Sequence, residues 1–309
     1  MLARARRVLD GTLGGGGHAL ALLENGADVT GIDRDPDAIV TARERLAEHV
    51  RAGRFRAVLG DFADVDSIPE LSGVTFDGIV LDLGVSSHQF DDATRGFSFR
   101  EGAVLDMRMA GGGQNSPGGT AAGLLNSADE RDLIRIFREY GDEPRAARLA
   151  HEIVRRRAKR PFELSDDLVG AIRAVLGPRS GPSEFARLFQ AVRIAVNDEL
   201  EALAGALPAL RDRLVPGGVF AVIAYHSGED RIVKNAFRDW SLSCVCPPRQ
   251  PVCICGGHAL GATIRKKAVI ASNDEVARNP RARSARFRAW RSAHADEPVA
   301  RRAAASHRA

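Results

Sequence analysis

The sequence contains no run of eighteen apolar residues and no apolar segment ahead of its first predicted strand, although 44% of its 309 residues are hydrophobic. A membrane-spanning helix needs about 20 apolar residues in succession, and a secretory signal needs a shorter apolar stretch near the N-terminus. These absences predict a cytoplasmic globular protein with no membrane partner. A chain of this length holds either one large domain with an insertion or two domains.

Cysteine is scarce, and all four cysteines lie between residues 244 and 255. They form two Cys-x-Cys pairs: Cys244, Cys246, Cys253 and Cys255. Disulfides are disfavoured in the cytosol, whereas four paired thiols can bind zinc tetrahedrally. The spacing inside each pair is tighter than the usual Cys-x2-Cys, and the segment is rich in proline. We therefore expect reduced cysteines on a hairpin, with a zinc site as the less favoured alternative.

No large excess of either charge is present, since the net charge is only +4, but the basic residues are unevenly placed. From residue 265 to the end, twelve Arg or Lys accompany four Asp or Glu. The arginines near Phe287 and Trp290 are Arg278, Arg281, Arg283, Arg286, Arg288 and Arg291. Guanidinium groups beside aromatic rings suit phosphate contact and base stacking. This segment and a second cluster, Arg155–Arg157 with Lys159 and Arg160, predict a nucleic-acid partner; a solvated end is the alternative, especially beyond Ala293.

A glycine-rich loop begins at the tenth residue and reads Asp10-Gly-Thr-Leu-Gly-Gly-Gly-Gly-His18. It follows the apolar pair Val8-Leu9, and Asp33 closes the next apolar run. Glycines let the backbone approach a ligand closely, and an acid at the tip of the second strand accepts hydrogen bonds from ribose hydroxyls. The pattern predicts an adenosine-bearing cofactor in a Rossmann-like crevice.

The acid that opens this loop favours one cofactor class. Dinucleotide sites use Gly-x-Gly-x-x-Gly and place a pyrophosphate at a helix N-terminus. Asp10 would repel a pyrophosphate, whereas it suits the sulfonium and amino groups of S-adenosylmethionine. A nicotinamide-dependent oxidoreductase would share the strand, loop and acid, and it stays open as an alternative.

Strands and helices alternate along the first part of the chain, which predicts a doubly wound parallel sheet. The predicted strands are Val8–Leu9, Val29–Asp33, Phe55–Leu59, Phe76–Asp82 and Val219–Tyr225, with helices at 20–25, 36–50 and 200–214. Between residues 91 and 199 the pattern shows only helices. A capping box at Ser127 and Glu130 opens one that Gly141 ends, and Ser165 opens another that Gly177 closes.

The sequence therefore predicts a discontinuous core, 1–90 with 196–309, interrupted by a helical insertion at 91–195. Ligands of open parallel sheets bind beyond the carboxyl ends of the strands. An insertion that begins soon after Asp82 would hang over the cofactor and hold a second substrate.

Eight motifs in one order resemble the MraW/RsmH family of bacterial methyltransferases, over roughly residues 10–288. They are Gly14-Gly-Gly-Gly-His18, Ile32-Asp-Arg-Asp-Pro36, Asp82-Leu-Gly-Val-Ser-Ser87 with Gln89, Arg95-Gly-Phe-Ser-Phe99, Leu105-Asp-Met-Arg-Met109, Asn197-Asp-Glu199, His226-Ser-x-Glu-Asp-Arg231 and Asn279-Pro-Arg-Ala-Arg-Ser284. The resemblance implies a Rossmann-like class I methyltransferase sheet with an inserted helical domain. It also implies S-adenosylmethionine as cofactor and methylation of N4 of a cytosine in the decoding region of small-subunit (16S) ribosomal RNA. The partner would be that RNA or the assembled small subunit, and a homodimer is left open.

The resemblance also implies site residues. The predicted cofactor contacts are Gly16, Gly17, His18, Asp33, Phe62, Asp82 and Gln89. The exocyclic amine is a poor nucleophile because its lone pair is delocalised, so the enzyme must align it and accept hydrogen bonds from its N–H groups. Asp82 and His226 are the predicted catalytic residues; for His226 a helix start capped by Ser227 is the alternative.

Two further points stay open. A non-catalytic RNA-binding or assembly factor would keep the basic segment without transferring a methyl group. Family members carry an additional segment before the first strand, including a His-x-Pro-Val motif, which this sequence lacks. We therefore expect the first strand to be less protected than in those proteins.

Overall fold

The computed structural model describes residues 2, 4–86, 92–110, 119–244, 246, 250, 254 and 257–293. The chain divides into two compact units. The sheet unit comprises Met1–Asp33, Arg43–Gly84 and Leu203–Ala309, and the helical unit comprises Arg34–Ala42 and Val85–Ala202. The helical unit thus also takes a short segment between the second and third strands, which the predicted boundaries did not include. Those boundaries stay a prediction.

The sheet unit is built on one twisted sheet whose first five strands are all parallel. Its strands are β1 (Arg7–Asp10), β2 (Asp28–Asp33), β3 (Phe55–Leu59), β4 (Phe76–Asp82), β5 (Leu214–Ala224), β6 (Gly261–Thr263), β7 (Val269–Ile270) and β8 (Arg286–Ser292). The order is β3-β2-β1-β4-β5-β8-β6, and β7 also pairs with β8. The predicted Rossmann-like α/β class with a helical insertion is confirmed.

The helices have the following bounds: α1 Gly17–Glu24, α2 Pro36–Arg45, α3 Ala47–Arg51, α4 Ala121–Ser127, α5 Glu130–Arg135, α6 Ala146–Arg157, α7 Ser165–Leu176, α8 Pro182–Asn197, α9 Glu199–Asp212, α10 Ser227–Trp240 and α11 Asn273–Arg278. A π turn, Ile136–Tyr140, extends α5 to Gly141. Among the described residues, no helix combines the length and apolar character needed to cross a membrane.

The first strand is covered along all of its length except Arg7. Val8, Leu9 and Asp10 have no exposed surface, so the lesser protection expected of β1 is not seen. The core around the sheet continues into an aromatic group at its antiparallel side. The Trp240 and Trp290 rings meet edge to face at 5.4 Å between centroids, and Phe220 stacks on Trp240 at 6.4 Å. Such ring pairs add stability beyond the area that they bury.

Several predicted boundaries differ from the structure. Ser127 ends α4 instead of opening the next helix, and Asp129 is the residue that precedes α5. The long helix predicted at 36–50 breaks at Leu46 into α2 and α3. The strand predicted to start at Val219 already begins at Leu214, and the register of β5 with β4 shifts between Phe76 and Gly78. The ends of α5 and α7 at Gly141 and Gly177 are confirmed.

The antiparallel strands were missed, and with them the position of two residues assigned to nucleic-acid contact. Trp290 is completely buried, and Arg288 is 8% exposed. The Arg288 guanidinium forms two hydrogen bonds to the Asp230 carboxylate, at 2.6 and 3.0 Å. Both residues therefore belong to the core, because the β5–β8 pairing brings Arg288 opposite Val222.

The second basic cluster is also occupied by internal contacts. Arg155 and Arg156 both bond to Glu152, at 2.8 and 2.7 Å. Arg157 donates to the main-chain oxygens of Leu125 and Ala128, at the C-terminal end of α4. The three arginines therefore have a structural role within the helical unit. Their clustering in the sequence gives no independent support for nucleic-acid binding.

Replacing Arg288 by Ala should lower the free energy of unfolding by about 3 kcal/mol, because it leaves the buried Asp230 carboxylate without its main partner. Urea unfolding of the purified variant measures this. Arg286→Ala is the matched control: Arg286 is half exposed and 3.9 Å from Asp230, so its removal should cost less than about 1 kcal/mol. Equal losses for the two variants would contradict the assignment of Arg288 to the core.

Candidate active site

Acidic side chains stand at the carboxyl ends of the first four strands. Asp10, Asp33 and Asp82 are the last residues of β1, β2 and β4, and Asp61 follows β3 by two residues. Because these strands are parallel, their carboxyl ends meet at one edge of the sheet, where open α/β sheets bind ligands. The sequence prediction that this edge holds the site therefore has a geometric basis in the strand order.

The glycine loop between β1 and α1 has two kinds of glycine. Gly14 and Gly16 have φ angles of 49° and 75°, in the left-handed region that favours glycine. A Cβ added at Gly15 or Gly17 would meet no atom within 4 Å. Neither backbone strain nor packing among the described residues therefore requires glycine at those two positions. The open space beside Gly15 and Gly17 leaves room for a ligand to approach the backbone, so the loop fits the predicted cofactor.

Asp33, the predicted ribose acid, is held on this loop, because its Oδ2 accepts the Gly14 main-chain N–H at 2.7 Å. Asp61 is occupied as a cap: its Oδ1 accepts the Ala63 N–H at 2.9 Å. Phe62 comes next and is only partly buried. A ring that keeps some exposed surface beside the sheet edge can pack against a flat apolar ligand face.

Asp82 is the most connected group of the edge. Its Oδ1 accepts the Tyr225 hydroxyl at 2.9 Å, its Oδ2 lies 3.1 Å from His18 Nε2, and its main-chain N–H donates to Thr12 Oγ1 at 2.6 Å. The hydrogen bond to Asp82 raises the pKa of His18, with burial opposing it. Burial and the Asp82 charge raise the pKa of Tyr225, so the hydroxyl stays a proton donor. The carboxylate is thus fixed by donors from two elements.

Tyr225 and Thr12 are site residues that sequence reasoning missed. Tyr225 directly follows a buried parallel strand, the position where ligand-facing residues are expected. That signal was present in the sequence, but the predicted site residue was its neighbour, His226. Thr12 lies inside the glycine motif itself, and only the β1–β4 pairing shows that it receives the Asp82 N–H.

Asp10 is fully buried, with one carboxylate oxygen bonded and the other not. Oδ1 accepts the Thr12 N–H at 3.2 Å, and Oδ2 has no hydrogen-bond partner in the described part of the chain. Burial raises the pKa of Asp10 to about 7; His18 and the Thr12 hydrogen bond lower it, while Asp82 and Asp33 raise it further. A substantial fraction of Asp10 is therefore protonated near neutral pH.

His226 is the N-cap of α10, one residue before the predicted cap Ser227. Its Nδ1 accepts the Glu229 N–H at 3.4 Å, and its Nε2 lies 3.1 Å from Glu229 Oε1. The Glu229 carboxylate in turn accepts the main-chain N–H of Tyr225 at 2.8 Å. The His226 side chain is 9% exposed, and both ring nitrogens face Glu229. This arrangement is a capping box.

Some predicted site residues lie outside the described residues. They are the cofactor contact Gln89 and two of the four cysteines, Cys253 and Cys255. Of the remaining cysteines, Cys246 donates its main-chain N–H to Cys244 Sγ at 3.4 Å. Within residues that the structure describes, no group of three or more His, Cys, Asp or Glu side chains is placed to hold a metal ion.

Other motif residues meet inside the helical unit. Arg95 donates to the Asp35 carboxylate and to the Met109 main-chain oxygen, both at 2.9 Å. The Asn197 side chain accepts the Met109 N–H at 2.9 Å and donates to the Met107 oxygen at 2.7 Å. Met107 has φ of 61°, an unusual conformation for this residue type. These contacts hold the segment 105–109 in one shape.

The parallel sheet, the glycine loop after β1 and the acids that end β2 and β4 together define a Rossmann-like class I methyltransferase. The chain belongs to the MraW methylase family, whose family model matches residues 3–293. This membership removes the nicotinamide-dependent oxidoreductase from the alternatives.

Named relatives match over nearly the whole length. A ribosomal RNA small subunit methyltransferase H from Gemmatimonas aurantiaca is 66% identical, over 95% of this chain and 92% of the relative. The protein of the same name from Anaeromyxobacter dehalogenans is 50% identical, over 91% and 90%. Among solved structures, an rRNA methylase from Streptococcus thermophilus has a TM-score of 0.40 at 10% identity, covering 94% of this chain and 87% of that one.

Asp10→Asn should change the pH dependence of stability. Unfolded Asp10 titrates near 3.8 and folded Asp10 near 7, so the folded state binds more protons between those values. Asp10 therefore does not change the wild-type free energy of unfolding below about pH 4. It lowers that free energy as the pH rises, and the loss is complete above about pH 7. The free energy of unfolding of the variant minus that of the wild type should therefore increase by about 3 kcal/mol from pH 5 to pH 8.

Urea unfolding at both pH values measures this difference. Glu44→Gln, which removes an exposed carboxylate from α2, is the control and should show no such gain. A difference between Asp10→Asn and wild type that stays constant from pH 5 to pH 8 would show that Asp10 is ionised throughout.

Two substitutions of His226 separate capping from imidazole chemistry. His226→Ala removes the cap and should cost about 1 kcal/mol of unfolding free energy, whereas His226→Asn supplies a good cap and should recover most of it. We expect turnover to follow stability, since the His226 side chain is only 9% exposed and its Nδ1 is used by the cap. A folded His226→Asn variant with turnover reduced 100-fold would instead support the predicted catalytic role.

Proposed function

We propose that this protein is an S-adenosylmethionine-dependent methyltransferase acting on N4 of a cytosine in the decoding region of small-subunit ribosomal RNA. Family membership and the names of the relatives support the reaction class and the RNA. The observation that carries the proposal is the Asp82 carboxylate, fixed by His18 and Tyr225 at the sheet edge that also holds the glycine loop and Asp33. The partner is that RNA or the assembled small subunit, the location is the cytoplasm, and a homodimer stays an open prediction.

The cofactor would be held by residues already placed by the fold. Gly16 and Gly17 allow the loop to approach it, Asp33 accepts the ribose hydroxyls while Gly14 keeps its carboxylate in place, and Phe62 offers an apolar face to the adenine. When bound, S-adenosylmethionine supplies an activated methyl group on a positively charged sulfur. Asp33 and Asp82 give this edge the negative charge that a cationic ligand requires.

Asp82 is the proposed acceptor for the reacting amine. A carboxylate has about four lone-pair directions, and the contacts with Tyr225 and His18 use two of them. The remaining capacity can accept an N–H of the cytosine amine, which orients the nitrogen and increases its electron density during attack. Because two donors hold the carboxylate, it does not have to reorganise when the substrate arrives. The side chain is 28% exposed, so it can be reached from solution.

Exposed basic residues on the sheet unit provide the proposed RNA contact. They are Arg265, Lys266, Lys267, Arg278, Arg281, Arg283, Arg286 and Arg291. Arg278 ends α11, and Arg281 and Arg283 lie on the short 3-10 turn that follows it. Side chains of this type contact phosphates whatever the sequence, so they would position the RNA while the site selects the base.

The decisive experiment supplies labelled S-adenosylmethionine with small ribosomal subunits or free small-subunit RNA, and then maps the modified base. We expect methylation at N4 of one cytosine, and a fall of about 100-fold in turnover for Asp82→Asn. Glu48→Gln, an exposed carboxylate change on α3, is the matched control and should leave turnover unchanged. Binding to subunits without any methyl transfer would favour the non-catalytic RNA-binding alternative.

Replacing both Arg281 and Arg283 by Ala should weaken RNA binding and flatten its dependence on salt. For every phosphate that is no longer neutralised by a guanidinium, the slope of log affinity against log salt should fall by about 1. RNA affinity measured at several salt concentrations tests this, with Arg51→Ala/Arg56→Ala as a control that removes two exposed arginines from another part of the sheet unit. An unchanged slope in the Arg281/Arg283 variant would remove this segment from the RNA-binding surface.

A further inference from the structure

Asp10 has a combination of features that the proposed reaction does not explain. It is the last residue of β1, has no exposed surface, and leaves Oδ2 without a hydrogen-bond partner in the described part of the chain. A buried ionised carboxylate is normally satisfied by several donors or by a cation. Here a single N–H, from Thr12 at 3.2 Å, bonds to the other oxygen.

The charged groups that face Asp10 come from three elements. His18 lies on α1, Asp33 ends β2, and Asp82 ends β4. Two of the three are acids, and the only positive charge among them depends on protonation of an imidazole that already bonds to Asp82. Among the described groups that act on Asp10, the two acids outweigh the one imidazole, and a proton on Asp10 relieves both its burial and its repulsion.

We propose that Asp10 is protonated in the free protein and releases its proton to solvent when the positively charged methyl donor binds. This inference rests on the proposed function, because it needs S-adenosylmethionine as the ligand. The sulfonium supplies the missing positive charge, which favours the ionised form of Asp10. S-adenosylhomocysteine, the product, has a neutral sulfur and leaves most of the proton on Asp10.

Two consequences follow from this proton linkage. The affinity for the donor rises with pH until the free-state Asp10 is ionised, up to tenfold per pH unit where one proton is released. The affinity for the product changes less, so the preference for donor over product also rises with pH. In methyl transfer the amine nitrogen gains the methyl group, the S–CH3 bond breaks, and the nitrogen loses one proton to solvent. The sulfur is then neutral, so Asp10 takes up a proton again and the product is bound less tightly than the donor.

Calorimetric titration of the full-length protein in two buffers with different heats of ionisation measures the number of protons released. For S-adenosylmethionine we expect the release to approach one proton at acidic pH and to fall towards zero as the pH rises and free Asp10 ionises. For S-adenosylhomocysteine we expect clearly less than half of that release. Asp10→Asn should abolish the difference between the two ligands, and Glu44→Gln should preserve it.

The possible outcomes distinguish failure of this inference from failure of the proposed methyltransferase function. If the wild type binds the donor with no proton release at pH 6, Asp10 has the same protonation state in the free and bound protein and the inference is overturned, while the methyltransferase proposal stands. If Asp10→Asn still releases the proton but His18→Asn does not, the imidazole is its source and the inference is likewise overturned. If neither ligand binds, both proposals fall. Where a variant fails to fold, a wild type that releases no proton at pH 6 still overturns the inference.

Discussion

Placing several carboxylates at one edge of a sheet is the constraint on which the rest of this site depends. Parallel strands deliver Asp10, Asp33 and Asp82 to the same edge, and their mutual repulsion must be offset. The structure offsets it in different ways: Asp33 accepts a loop N–H, Asp82 receives a tyrosine hydroxyl and an imidazole, and Asp10 is protonated to a substantial extent near neutral pH. The negative charge that remains, on Asp33 and Asp82, suits a cationic methyl donor.

The Asp82 network links several elements through one carboxylate. Its donors come from the start of α1 and from the residue after β5, and its own N–H is anchored on the β1 loop. Residues far apart in sequence thereby share a single hydrogen-bonded group. Because removing one member of such a network disturbs the hydrogen bonds of the others, Asp82 and Tyr225 act together and their effects will not be additive.

The basic C-terminal segment divides by burial into two groups with different physical roles. Arg288 lies on the covered side of β8 and forms an ion pair with Asp230, whereas Arg278, Arg281, Arg283, Arg286 and Arg291 remain exposed. Only an exposed guanidinium can exchange its counterion for a phosphate. The sequence alone does not distinguish these arginines. Arg288 stabilises the fold, whereas the exposed arginines can contact a polyanion.

Much of the sheet unit follows from local patterns. The apolar runs at 55–59 and 76–82 match β3 and β4 residue for residue, and the glycine motif marks the loop that Asp33 contacts through the Gly14 N–H. Strands that are buried on both faces appear as continuous apolar runs in the sequence. A loop whose backbone approaches a ligand is recognisable by its glycines.

The antiparallel strands and the Tyr225–Asp82 contact depend on pairing between distant segments. Arg288 meets Asp230 across 58 positions, and Tyr225 meets Asp82 across 143. No local period encodes those separations, so the sequence by itself determined the class of sheet and the position of the cofactor loop. Only the tertiary structure decided which polar side chains face each other, because that depends on strand register and on burial.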